Sequence, residues 1–272
     1  MIATFLHIFT HILLPFFLLV GCGFFLQRRF GYDINPLAKV NVYLFVPAFM
    51  FVQVIQSTLT IGQMLQVAGF VVALVALLWL WSQGVAWLRG YSSVRRRAFS
   101  LTQMFYNSGN FGLPVNYLAF EGNPFALTTQ VIVLVTQNSL NFTIGLMLAA
   151  HNGSWKEGWK ALLRYPFLYA LAVALVIRST GWEVWPPLWR AATYLANALI
   201  PVATVTLGSQ LALVRLNRVS GDVLLACGGR LVLGPLMGLG LLTLLGWQGL
   251  LKQALLLSCG APTAINTTLL TI

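Results

Sequence analysis

Asn107-Ser108-Gly109-Asn110-Phe111-Gly112-Leu113-Pro114 interrupts a long apolar segment with glycine, proline and amide side chains, and Ser258-Cys259-Gly260-Ala261-Pro262-Thr263-Ala264-Ile265-Asn266 does the same further along the chain. An unpaired backbone N–H or C=O costs several kcal/mol in hydrocarbon, so a helix can be opened there only inside protein or beside a watery cavity. A single break reads most simply as a kink that neighbouring helices tolerate. Two breaks at corresponding places in two halves point instead to a midplane binding site of the kind transporters build.

Composition supports the membrane setting. Of 272 residues, 58% are hydrophobic and only 8% charged, too little polar surface to cover a water-soluble globule. The formal charge of +11 lies in short connections between apolar segments, with no basic stripe interleaved with aromatics, which argues against nucleic acid as a partner. Cys22, Cys227 and Cys259 all fall within apolar segments, so neither a disulfide framework nor a zinc site is expected. Ile2 to Leu26 has no basic region ahead of it and is followed by Gln27-Arg28-Arg29, the pattern of a retained first span.

Nine stretches have the length and apolarity of a span: 3–26, 37–57, 64–87, 99–120, 126–149, 161–178, 188–214, 223–246 and 251–272. Alternate connections carry 12 Lys and Arg on one side against 3 on the other, which predicts a multi-pass protein of the cytoplasmic (inner) membrane with its N-terminus outside. Prolines recur at similar offsets: Pro15 with Pro166, Pro47 with Pro201, and Gly112-Leu-Pro114 with Gly260-Ala-Pro262. The fold expected is all-α, with a first five-helix repeat over 1–150 and a second over 151–272. An odd number of spans per repeat inverts the second, the arrangement that permits alternating access around a central site. The second repeat has four spans, so a partner for 126–149 is expected to be missing.

With these residues in view the chain resembles the auxin efflux carrier family, which includes plant auxin exporters and bacterial malonate and malate permeases. The resemblance rests on Asn107-Ser-Gly-Asn-Phe-Gly-Leu-Pro114 and Gly260-Ala-Pro-Thr-Ala-Ile-Asn266, with Pro47-Ala48, Pro201, Leu207-Gly208, Gln137-Asn138 and Phe142-Thr143-Ile144-Gly145 in support. It implies a five-plus-five protein whose fourth and ninth helices cross, broken, at the substrate site, and which moves organic anions.

A half-helix that follows a break presents free N–H groups and a dipole end of about +0.5 charge, which suits a carboxylate. The substrate-site candidates are therefore Asn107, Gly109, Asn110, Gly112, Pro114, Asn138, Gly260, Pro262, Thr263 and Asn266, with Asn116 and Thr267 as further hydrogen-bonding neighbours. Arg230 joins them because it is the one formal charge well inside a span, where insertion costs about 2.5–3.5 kcal/mol. Either it snorkels to the inner interface, or it faces the interior and serves an anion. His7 and His11 lie four apart, a spacing that could hold a metal, but no third ligand joins them and a hydrated face is the commoner explanation, so no metal or cofactor is assigned. Gln53, Gln56, Ser209 and Gln210 read as interhelical glue.

The acids Asp33, Glu121, Glu157, Glu183 and Asp222 all sit in connections or at span ends, leaving no buried carboxylate as a proton relay. Coupling to protons through a histidine or the substrate, or to sodium through unwound carbonyls, stays open, as does a homodimer. The reading is a secondary carrier for small organic anions such as dicarboxylates. Its alternative is a transport-inactive sensor or scaffold that binds the anion. An enzyme is disfavoured, because the spans hold no acidic pair, metal cluster or nucleophile set.

Overall fold

The computed structural model describes residues 6–149, 155–214 and 220–264, and these are helical almost throughout, with no strand among them. In chain order the helices are α1 Leu6–Phe30, α2 Asn35–Ile55, α3 Ile61–Leu88, α4 Ser93–Met104, α5 Leu113–Ala119, α6 Pro124–Ala149, α7 Trp155–Leu162, α8 Pro166–Thr180, α9 Pro186–Leu213, α10 Gly221–Leu244 and α11 Gly249–Cys259. Six are long and apolar enough to cross a membrane, and α7 with α8, bent by 62°, makes a seventh if the pair is one span. The fourth and ninth expected spans do not reach that length among the described residues. One is split into α4 and α5, and α11 has only 11 residues.

Proline placement explains much of the local geometry. Pro15, Pro47, Pro114 and Pro235 each lie two residues past the end of a five-residue π-helical turn, at Phe9–Leu13, Asn41–Phe45, Ser108–Gly112 and Gly229–Leu233. A proline inside a helix lacks an N–H and crowds the carbonyl four residues back; widening the preceding turn to the i→i+5 pattern lets the chain pass the ring while staying helical. Exposed large apolar side chains such as Phe25 (67%), Trp87 (79%) and Leu244 (84%) would be untenable in water and suit contact with lipid.

The chain forms two compact units, each drawing on both halves of the sequence. The first comprises Met1–Thr58, Gly109–Val131 and Tyr165–Leu216. Its frame is α1 packed along α9, with α2 against α8 and α9. Glycine makes the closest approach in it. A Cβ on Gly208 would lie 1.9 Å from the Val20 carbonyl oxygen, and one on Gly23 would lie 2.0 Å from that of Val205. Ser209 Oγ donates to the Gly23 carbonyl at 3.1 Å and contacts the Tyr32 hydroxyl at 2.6 Å, which is the interhelical glue expected of it.

The second unit comprises Leu59–Ser108, Ile132–Arg164 and Asn217–Ile272. Here α3 packs on α4 and α10, α10 packs on α11, and α7 lies against the π-helical turn Asn141–Gly145 of α6. These compact units do not coincide with the repeats expected over 1–150 and 151–272, since each unit takes segments from both.

Candidate functional site: two opened helices that pair

The site is built in the second unit. Helix α4 stops at Met104 because Phe105 turns extended (φ −111°, ψ 121°), and α11 stops at Cys259 with Gly260 as its cap. The two opened segments then pair with each other. Tyr106 and Thr263 form an isolated antiparallel bridge, flanked by Asn107 N–H donating to the Pro262 carbonyl at 2.7 Å and Ala264 N–H donating to the Phe105 carbonyl at 3.0 Å. Thr263 Oγ1 adds a bond to the Thr102 carbonyl at 3.0 Å. Each break thus satisfies groups freed by the other, so neither could be tolerated alone in an apolar bundle.

Arg230 stands at this pairing. Its side chain is 1% exposed, which overturns the snorkelling alternative. Nε donates to the Ala261 carbonyl at 2.9 Å, Nη1 to the Gln103 carbonyl at 3.3 Å, and Nη2 to the Cys259 carbonyl. The guanidinium also lies over the Tyr106 ring, 4.5 Å from its centroid, in cation–π geometry. Two glycines of the same helix make room. A Cβ on Gly234 would come within 3.2 Å of the guanidinium carbon, and one on Gly229 would collide with the Trp81 ring at 2.2 Å and with Gln103 Oε1 at 2.6 Å. Gln103 is fully buried and its Nε2 donates to the Ala226 carbonyl at 3.1 Å, tying α4 to α10. Gln137 and Ser258 are polar neighbours of the Tyr106 hydroxyl.

The structure therefore brings together Asn107, Arg230, Gly260, Pro262 and Thr263. Asn138 is half-buried in the same unit, one residue past the buried amide Gln137. Gly109, Asn110, Gly112 and Pro114 belong to the first unit, where Asn110 Oδ1 accepts a bond from Asn41 Nδ2 at 3.4 Å. This corrects the position of the first break. The opened backbone is 105–107, whereas the glycine–proline stretch after it is already helical, a π turn running into α5 with Pro114 in its first turn. Proline is preorganised there and its missing N–H is one the helix would leave unbonded anyway.

Asn116 in α5 is fully buried. Asn266 and Thr267 lie outside the described residues. His7 and His11 stack at 4.3 Å on an exposed face of α1. Sequence reasoning does not single out Tyr106 or Gln103. The available signal was Arg230 itself, since a cation buried in a span needs carbonyls and an aromatic face, and a tyrosine directly precedes Asn107.

A family model described as "Membrane transport protein" matches residues 7–272, and the chain belongs to that family. It is 26% identical over 254 residues to an "Uncharacterized transporter" of Methanothermobacter thermautotrophicus, an alignment covering 88% of this chain and 79% of the relative. It is 25% identical over 274 residues to a "Putative malonate transporter" of Rhizobium meliloti, covering 94% of this chain and 84% of the relative. The protein is a multi-pass membrane transporter, as the resemblance and the spans implied.

Proposed function

We propose that this member of the membrane transport protein family carries small organic anions, dicarboxylates such as malonate among them, across the cytoplasmic membrane with its N-terminus outside, by alternating access at the paired breaks. One observation carries the reading: a buried cation, Arg230, sits where two opened helices meet in a bundle otherwise built for lipid. Opened backbone is tolerated in a membrane bundle where it is buried in protein or lines a cavity, and a pair of broken helices that meet is the construction transporters use to hold an anion. The hydrogen-bonding groups for a carboxylate are those of Asn107, Asn138, Thr263 and Asn266 and the backbone around Gly260 and Pro262. The name of the Rhizobium relative points to the same substrate class.

The test is uptake and counterflow of labelled mono- and dicarboxylates in proteoliposomes at controlled pH and sodium. Saturable counterflow of at least one dicarboxylate, reduced tenfold or more by Asn107→Ala, is the expected outcome. Absence of saturable flux for every anion would sink the carrier reading, and binding without counterflow would leave an anion sensor in its place.

A further inference from the structure

We infer that Arg230 is a positioning residue which clamps the two opened helices together, and that it does so in place of binding the anion directly. The inference rests on the reading of the paired breaks as the transport site. Three of the five guanidinium N–H groups donate to backbone carbonyls, at Ala261, Gln103 and Cys259, and the Tyr106 ring covers a face of the plane. The two remaining N–H groups, one on each Nη, are enclosed in a residue 1% exposed, so an anion reaches them only after the pairing opens.

The charge has a different use. Gln103 is in the last turn of α4 and Cys259 ends α11, so both carbonyls belong to helix C-termini, each equivalent to about −0.5 charge. One guanidinium balances the two ends together, which explains why a buried cation is stable with only carbonyls and an aromatic ring among its bonded partners here. It also explains the choice of arginine, whose planar fork spreads its donors over three nitrogens and three carbonyls; a lysine ammonium gathers its three donors on one nitrogen. The π turn Gly229–Leu233 presents Arg230, while Gly234, one turn on, leaves the space into which the side chain folds back. Removing the clamp frees the pairing amides of Asn107 and Ala264 to open.

The experiment uses the full chain in detergent and in proteoliposomes. Hydrogen–deuterium exchange is read on peptides covering 103–110 and 258–266, alongside binding and counterflow of labelled malonate. Arg230→Lys is expected to speed exchange of both peptides at least tenfold and to lower maximal counterflow at least tenfold, with the half-saturating malonate concentration changed less than threefold. Gly234→Ala keeps the charge and the fork but crowds the guanidinium, and is expected to speed exchange of the same two peptides by a smaller factor, which covers the case in which Arg230→Lys does not fold. Unchanged exchange in Arg230→Lys with a tenfold weaker half-saturation would overturn the clamp and make Arg230 a ligand. Faster exchange in Arg230→Lys, together with a wild-type protein that carries no anion, would instead uphold the clamp and overturn the transport-site reading.

Discussion

The two compact units solve the same problem, holding helices together where lipid offers no hydrophobic drive, by opposite means. In the first, α1 and α9 keep unbroken backbones and gain contact by approach, because Gly23 and Gly208 let main chain touch main chain. In the second, α4 and α11 give up their backbone regularity, and the freed groups are recovered by pairing 105–107 with 262–264 and by Arg230. Dispersion between close backbones needs no polar group and tolerates no added atom. Polar repair tolerates added carbon in places but depends on each donor and acceptor. The contrast makes substitution tests predictable in sign and order.

The largest effect is expected from Gly208→Ala. Its Cβ would sit 1.9 Å from the Val20 carbonyl oxygen and 2.9 Å from the Phe24 nitrogen, both backbone, so relief requires moving one whole helix. Overpacking in a core costs about 1–3 kcal/mol where side chains can yield, and here none can. Fluorescence-detected size-exclusion chromatography should show loss of the monodisperse peak, or a lowered midpoint in a thermal scan. A well-folded Gly208→Ala protein would break the account of the first unit.

An intermediate effect is expected from Thr263→Val in the second unit. The substitution deletes the bond from Thr263 Oγ1 to the Thr102 carbonyl at 3.0 Å but leaves both flanking backbone bonds in place. A hydrogen bond of this kind contributes about 0.5–1.5 kcal/mol. A thermal-unfolding midpoint lowered by a few degrees, with the chromatographic peak retained, would fit a crossing held by several modest bonds. Collapse of the peak would mean that this hydroxyl supports more than one carbonyl.

Much of this was legible in the sequence, and the parts that were not share a cause. The membrane class, the helices and the presence of two breaks follow from apolar runs and from glycine, proline and amides in the runs. Arg230 was flagged by its charge, but its partners are backbone carbonyls of Gln103, Cys259 and Ala261, and a carbonyl has no letter in the sequence. The first break was placed at the residues that look like helix breakers, Gly109, Gly112 and Pro114, yet those lie in a π turn and the helix it starts. Phe105-Tyr106-Asn107 opens because it has a partner segment 157 residues away from Tyr106, at Thr263, and local propensity carries no trace of that. Close approach at Gly23 was similarly hidden, and Gly208 enters only through the resemblance, because neither segment shows which backbone its glycine meets.

The smallest effect is expected at Gly260, although it lies in one of the two motifs that drew attention first. Its φ of −80° is ordinary for any residue, so no left-handed conformation demands glycine. A Cβ there would meet the Leu257 carbonyl oxygen at 3.4 Å and Pro235 Cγ at 3.9 Å, both ordinary contacts. Gly260→Ala should therefore change stability by no more than about 0.5 kcal/mol, the range of substitutions that touch no special feature. The measurement is the same thermal scan used for Gly208→Ala, with malonate counterflow beside it. Unchanged stability with reduced counterflow would place substrate or motion against the α carbon of Gly260. Unchanged values for both would assign the second break to its pairing with 105–107 and to Arg230, and would leave glycine itself with no part in opening the helix.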